Sequence, residues 1–300
     1  MKKAIDISSE MAEGFVLPPF GIPLEDVASI KIAGTGAAFH RRHLMARYDE
    51  DVLPFISSVS LSCGLHSGDP VLLRRTAAKL IGKGIHLGAH PSYPGVFGFG
   101  QDRVALPDED LEAVLLYQFG AVAAVVGSLG ARLRHVKCHG PLSMDISYDE
   151  RICNVMLNAV QKFDPELFVV FMANSPGLAF ARNRGLRAAA EGYIDRGYGR
   201  DGRIVPRQHP QALLTKREQA AQRILEVVCD QQVTCVDGSK IALQADTFCL
   251  HSDTPGAAEF GAAVSHALSA HGIAVQPLAN LQDGARQPAC VRREVRWRRS

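Results

Sequence analysis

The chain has 300 residues, 47% hydrophobic and 21% charged, enough to bury one large α/β domain or two smaller ones. With 33 Lys and Arg against 31 Asp and Glu, the net charge is +2, which argues against a nucleic-acid-binding body, since that needs many uncompensated cations on one face. The 7 cysteines are scattered, with no C-x-x-C pair; they suit a reducing compartment and supply no zinc framework.

No targeting segment is expected, because Asp6 and Glu10 interrupt the start before an apolar run can form after Lys2 and Lys3. No window approaches the roughly 18 consecutive apolar residues of a membrane span, so a cytoplasmic protein that does not enter a membrane is expected.

In chain order, Lys3 to Ile7 predicts a strand, followed by an excursion of mixed polarity at about 20–43. Ser57 to Cys63 predicts a second strand, with His66 just beyond it. Asp69 then caps a helix with Pro70 in its first turn; Leu73, Ala77, Leu80 and Ile81 share one face, and Gly84 ends it. Ile85 to Ala89 is a strand finishing at His90, and Asp108 caps a long helix that stops at Gly127 or Gly130. Leu133 to Cys138 is a strand ending at His139, Glu150 to Phe163 a helix, and Leu167 to Ala173 a strand with a turn at Asn174. Arg187 to Ile194 carries Glu191, Thr215 to Val228 is helical, and Thr247 to Leu250 is a strand ending at His251. Thr254 and Pro255 open the last helix, which closes at Gly272.

Strands alternating with helices imply a parallel sheet with right-handed crossovers. About seven such units favour a distorted (β/α) barrel of the TIM-like kind, in which ligands sit at the carboxyl ends of the strands. The polar residues gathered there are Asp6, His66, His90, His139, Asn174, Glu191 and His251. The barrel domain is expected over 1–272, and 273–300 reads as a partly disordered basic extension: one short strand is allowed from Ile273, then a tail from Gln282 with Arg292, Arg293, Arg296, Arg298 and Arg299 crowded around Trp297, a solvated end or a polyanion contact.

The pair His135 and His139 has a helical metal-site spacing, but on a strand four residues cover roughly 13 Å, too far for both rings to hold one ion. The same argument separates His86 from His90. Period two puts His135, Lys137 and His139 on one face, which points inward in a barrel. An interior ammonium at Lys137 is either functional or the partner of an acid such as Asp6 or Glu191. In Gly64-Leu-His-Ser-Gly68 the serine is one position late for a nucleophile elbow, so Ser67 reads as structural. Gly34-Thr-Gly36 completes neither a P-loop nor a dinucleotide fingerprint. His40, His43, His209, His266 and His271 read as solvated or core histidines. Gly88 to Gly100 is either a lid or an irregular loop. Arg196 or Arg207 could hold a carboxylate bidentately, or pair with Asp195 and Asp201.

Five segments in order, Cys63 to Pro70, Gly88 to Pro94 with Gly98-Phe-Gly100, His135 to Gly140, Glu191 to Arg207 and Cys249 to Gly256, resemble the motifs of the lactam-utilisation family, the A subunit of bacterial 5-oxoprolinase. The resemblance covers about Lys3 to Gly272 and implies a barrel related to glycoside hydrolases and polysaccharide deacetylases. It also implies ATP-dependent opening of 5-oxoproline to glutamate together with B- and C-type partner subunits that handle ATP. On that basis Asp6 or Glu13 takes the general-base role, and Lys137 stabilises the developing oxyanion or phosphate. His66 or His139 protonates the leaving nitrogen, and His90, Tyr93, Glu191, Arg196, Arg207 and His251 contact the lactam. The deacetylase likeness offers an alternative: a divalent metal on Asp6, His66 and His139 that activates water. A third reading is a non-catalytic barrel that keeps its partner contacts, and self-association is left open. The chain departs from the family pattern at several mouth positions, with Ser8, Ser9, Glu10 and Ala12 near the start, Ser60 and Leu65 around the second strand, and Gln101, Asp102, Cys138, Pro141 and Ser143 beyond.

Overall fold

The computed structural model describes residues 4–17 and 49–283. Seven parallel strands form a ring: β1 (Ala4–Met11), β2 (Ser58–Ser62), β3 (His86–His90), β4 (Leu133–Lys137), β5 (Phe168–Met172), β6 (Ala188–Tyr193) and β9 (Thr247–Cys249). The ring closes because β9 pairs with both β6 and β1, so Thr247 stands beside Glu191 on one side and Asp6 on the other. This closed α/β barrel agrees with the expected architecture.

Alternation along these strands is the reverse of a solvated sheet. In β1 and β2 the apolar Ile5, Ile7, Met11, Val59 and Leu61 point outward into the core shared with the helices. Asp6, Ser8, Ser60, His135, Lys137 and Thr247 surround one small interior void. A polar lumen inside an apolar shell lets buried charged groups meet one another while the helices exclude water from the outside.

The helices are α1 (Asp49–Val52), α2 (Pro70–Ile81), α3 (Asp108–Ser128), α4 (Gly140–Tyr148), α5 (Glu150–Phe163), α6 (Pro176–Asn183), α7 (Arg217–Asp230), α8 (Ala257–Ala270) and α9 (Leu278–Asp283). Asp69 caps α2 as expected, accepting from Val71 N at 2.8 Å and Leu72 N at 3.0 Å. At α3 the cap is instead Pro107, with no side-chain bond, because Asp108 is already inside the helix and pairs with Arg151. α3 is apolar and long enough to cross a membrane by composition alone. Here Leu111, Leu115, Phe119, Val122 and Val126 are buried and belong to the core, and the helix packs against α2 and α5.

Three features escape the sequence reading. α4 and α6 begin immediately behind strand ends, where His139 and Ser175 act as N-caps with a proline in each first turn. An antiparallel hairpin, β7 (Gln232–Thr234) with β8 (Lys240–Ala242), lies outside the ring. The third is the packing beyond 272: the short strand that the sequence allows from Ile273 is β10 (Ala274–Val275), which pairs with β1 at Ala4 and Ile5, and Leu278 and Ala279 pack with Phe168, Val170 and Ala189. The expected excursion at about 20–43 and the basic stretch from 284 lie outside the described residues.

Candidate active site

Lys137 is the last residue of β4 and 3% exposed, so its ammonium needs partners inside the lumen. It finds Glu10 of β1 at 2.9 Å and Glu191 of β6 at 2.8 Å. Burial opposes ionisation of Glu10, but the Lys137 and His90 charges outweigh it and hold the carboxyl well below the usual range. Burial likewise works against the Lys137 ammonium; the Cys249 sulfur, Glu10 and Glu191 override it, so its pKa lies well above an ordinary lysine's. Cys249 is itself pushed up by burial and stays a thiol, so at neutral pH the two carboxylates carry that effect. Tyr193 bonds Glu191 through its hydroxyl and stands beside the ammonium, 5.9 Å from Lys137 Nζ to the ring centroid.

Beside this clamp, Glu13, His66, His90 and His139 offer ligating atoms within 4.8 Å of one another. His66 and His139 stack with centroids 4.0 Å apart, and Phe99 packs edge-on against both. His90 Nδ1 lies 2.7 Å from the Lys137 carbonyl and His139 Nε2 lies 2.8 Å from the Phe99 carbonyl. A carbonyl can only accept, so both nitrogens carry the proton. The remaining nitrogens, His90 Nε2 and His139 Nδ1, face each other at 3.2 Å. In two neutral rings these are both lone pairs, an arrangement that a shared proton or a cation between them relieves. His66 Nε2 and Glu13 Oε1 close the group at 3.2 Å. Ala12, with φ at 61°, makes the left-handed turn that swings Glu13 from the end of β1 toward the histidines.

On the opposite side, Asp195 accepts from His251 Nδ1 with both oxygens at 3.0 Å and from Thr254 Oγ1 at 2.5 Å. Burial disfavours the charged ring, but Asp195 dominates and raises the His251 pKa well above that of a free histidine. Glu10, Lys137, His139, Tyr193, Arg196, Arg207 and His251 line a cavity of about 450 Å³ at the carboxyl ends of the strands. Cations outnumber the single carboxylate on its wall, which suits a small anionic ligand.

The LamB/YcsF family pattern matches residues 33–283. The chain belongs to the LamB/YcsF family. Curated relatives in it include the 5-oxoprolinase A subunit of Geobacillus thermodenitrificans, 39% identical over 76% of this chain and 90% of that protein. The corresponding protein of Chloroflexus aggregans is 41% identical over 76% and 90%. The solved lactam utilization protein of Thermus thermophilus is 32% identical, with a TM-score of 0.76 over 92% of this chain and 99% of that one.

For this member of the LamB/YcsF family, the structure brings Glu13, His66, His90, Lys137, His139, Glu191, Arg207 and His251 to one end of the barrel, and it leaves out Asp6, Tyr93 and Asn174. Asp6 is at the far end of β1, bonded by Ser57 at 2.8 Å, Ser58 at 2.6 Å and Thr247 at 2.5 Å, and buried to 1% exposure. The four residues from Asp6 to Glu10 span roughly 13 Å, so Asp6 lies apart from Glu13 and the three histidines at the mouth. Tyr93 donates to Asp145 at 2.9 Å and lies off the cavity wall. Arg196 reaches the wall, but its Nε and Nη2 are committed to the carbonyls of Ala212 at 3.2 Å and Val205 at 3.0 Å, so a bidentate hold on a substrate carboxylate is not available to it. Asn174 is turned away as well, donating to the Ala242 carbonyl at 2.7 Å. Ser67 is structural, its hydroxyl accepting from Gly14 N at 2.7 Å.

The residues the sequence reading missed are Glu10, Tyr193, Asp195 and Gln101. Glu10 shares the inward face of β1 with Asp6 and Ser8, nearer the mouth, so period two could have found it. Two departures from the family pattern prove to be working parts: Glu10 holds Lys137, and Ser60 Oγ meets His135 Nε2 at 2.9 Å.

Proposed function

We propose that this chain is the A-type subunit of an ATP-dependent 5-oxoprolinase, opening a cyclic amide in concert with B- and C-type subunits that handle ATP. The observation that carries the reading is the Lys137 ammonium, fixed between Glu10 and Glu191 on the wall of a cation-rich cavity beside the histidine cluster. Relatives at about 40% identity, named as the A subunit of 5-oxoprolinase, support it. An unstrained amide resists water, so polarising its carbonyl and positioning the nucleophile supply most of the acceleration. Lys137 faces the developing oxyanion or phosphate, Glu13 takes a proton from water through its contact with His66, and Arg207 faces the substrate carboxylate. The reaction belongs in a reducing compartment, consistent with the six described cysteines all being free thiols.

The test is turnover of 5-oxoproline with ATP by the chain alone, by B- and C-type partners alone, and by all three together. Ring opening that requires this chain supports the reading; a complete set that opens no lactam overturns it.

A second reading is favoured by the Glu13, His66, His90 and His139 group, whose donor set of three imidazoles and one carboxylate suits a divalent transition metal. When bound, such an ion supplies Lewis acidity and a water of lowered pKa. Glu13 and the three histidines would hold it, without Asp6. Metal analysis of protein purified without added ions tests this: a stoichiometric ion lost in Glu13→Gln supports it, and metal-free protein that turns over undiminished in chelator removes it.

A further inference from the structure

The residues assigned above to proton donation, His66 and His139, sit in a cluster whose geometry is poor for that task. His139 Nε2 is spent on the Phe99 carbonyl and His90 Nδ1 on the Lys137 carbonyl, while their other nitrogens face each other and so serve to accept or ligate. His135 lies deeper, against Ser60, and burial first, then the Lys137 charge, push it down to about 3, so it is neutral. His251 differs from all of them. Asp195 grips its Nδ1 with both carboxylate oxygens, Thr254 fixes Asp195 from behind, and Asp195 is 0% exposed, so the ring has one orientation. Asp195 holds Nδ1 and the ring also meets the Cys249 side chain, so Nε2 carries the proton that Asp195 does not hold, on a residue that shares the cavity wall with Glu10, Tyr193 and Lys137.

We propose that His251, oriented by Asp195 and Thr254, is the proton donor to the nitrogen that leaves when the cyclic amide opens. This rests on the lactam-opening reading and deepens it. In the step, a water oxygen adds to the amide carbon and gives up its proton to Glu13 and thence to solvent. As the adduct collapses, the C–N bond breaks and its electron pair moves to nitrogen. The Nε2 proton of His251 goes to that nitrogen, the amine is released still tethered to the new carboxylic acid, that acid gives its proton to solvent to become the carboxylate, and His251 regains a proton from solvent. Asp195 is a positioning residue: it does not touch substrate, but it selects the nitrogen that donates. A histidine kept cationic by a buried carboxylate can still protonate an amine, whose pKa as an α-amino group is about 8.

The charged and titratable groups facing this ring are Asp195 from the segment after β6, Tyr193 of β6 stacked at 5.9 Å, Cys249 of β9, and Glu10 of β1. Cys249 and Glu10 keep their side chains in Asp195→Asn and act as its internal reference.

The test uses the complete partner-supplemented enzyme with 5-oxoproline and ATP, together with nitrogen NMR of the histidine rings in the full-length chain. In His251→Gln, kcat is expected to fall roughly 10²- to 10⁴-fold while KM for 5-oxoproline changes less than about threefold. In Asp195→Asn, the alkaline limb of the kcat profile and the NMR titration of His251 are expected to move together toward acid by at least about one pH unit. Folding of both variants is checked by thermal unfolding. Undiminished kcat in His251→Gln, or a loss carried wholly by KM, overturns the donor assignment while leaving the lactam reading intact. A limb that stays put while the NMR titration moves overturns it as well. A wild-type complex that opens no lactam overturns both.

Discussion

At the scale of single residues, the Lys137 clamp decides how the site can be probed. Replacing Lys137 by Met has the look of a clean removal of a catalytic cation, but Glu10 and Glu191 would then share a lumen without the ammonium that both contact. Removing one partner of a buried ion pair costs about 3–5 kcal/mol, whereas replacing the whole group by matched neutral residues is often close to neutral. We therefore expect Lys137→Met to lower unfolding free energy by about that amount in urea titrations as well as abolish turnover. Adding Glu191→Gln should restore more than half of the stability and none of the activity. Equal stability in the single and double variants would show that the carboxylates are relieved by water rather than by the ammonium. The same residue scale shows where sequence reading stopped short. The strand-rise argument that separated His135 from His139 also separates Asp6 from the mouth, and applied to β1 it leads to Glu10. Asp195 could not be found this way, because its role arises from a contact with His251 fifty-six residues away.

At the scale of elements, periodicity and caps made most of the barrel legible. Asp69 with Pro70, the apolar runs of β5 and β9, and glycines after the helices are local signals, and each element they mark is present. α6 was hidden because it starts inside Asn174-Ser-Pro-Gly, which already reads as a turn, and α4 because it starts directly behind the strand end at His139; in both, proline opens a helix as readily as it ends a strand. Neighbouring strands also impose constraints that no local signal carries. A Cβ on Gly88 of β3 would lie 2.3 Å from His135 Cδ2 and Nε2 of β4, so this glycine is the space in which the His135 ring sits. Gly88→Ala must displace that ring from Ser60, and a loss of about 1–3 kcal/mol is expected by thermal or urea unfolding. Gly120→Ala in α3 is the matched control: nothing lies within 4 Å of its added methyl, and a helix interior favours Ala over Gly by roughly 0.5–1 kcal/mol. Opposite signs for the same chemical change are the expected outcome; a loss in both would place the cost in the substitution itself and not in the β3–β4 contact.

At the scale of the whole molecule, the barrel divides along its axis into a reactive mouth and a sealed base. Glu10, Lys137, His139 and His251 face the cavity at the carboxyl ends, while Asp6 with its three hydroxyl partners lies at the amino ends. The base is closed by α9, whose Leu278 is 3% exposed and packs with Phe168, Val170 and Ala189. Leu278 also borders the interior void that holds Asp6, His135 and Lys137. Burial raises the Asp6 pKa despite its hydrogen bonds, so opening the base to water would favour ionisation of a carboxyl that the closed barrel disfavours. Leu278→Ala removes the largest apolar contact of this plug, and cavity formation sets the cost at about 2–5 kcal/mol. Because the plug is on the far side of the clamp, kcat and KM at temperatures well below the unfolding midpoint should stay within about twofold of wild type. Calorimetry beside turnover in the complete enzyme checks both halves: lost stability with retained activity is expected. Activity that falls in step with stability would mean that base and mouth are coupled through the lumen, with Asp6, Ser8, Ser60 and His135 as the polar column between them.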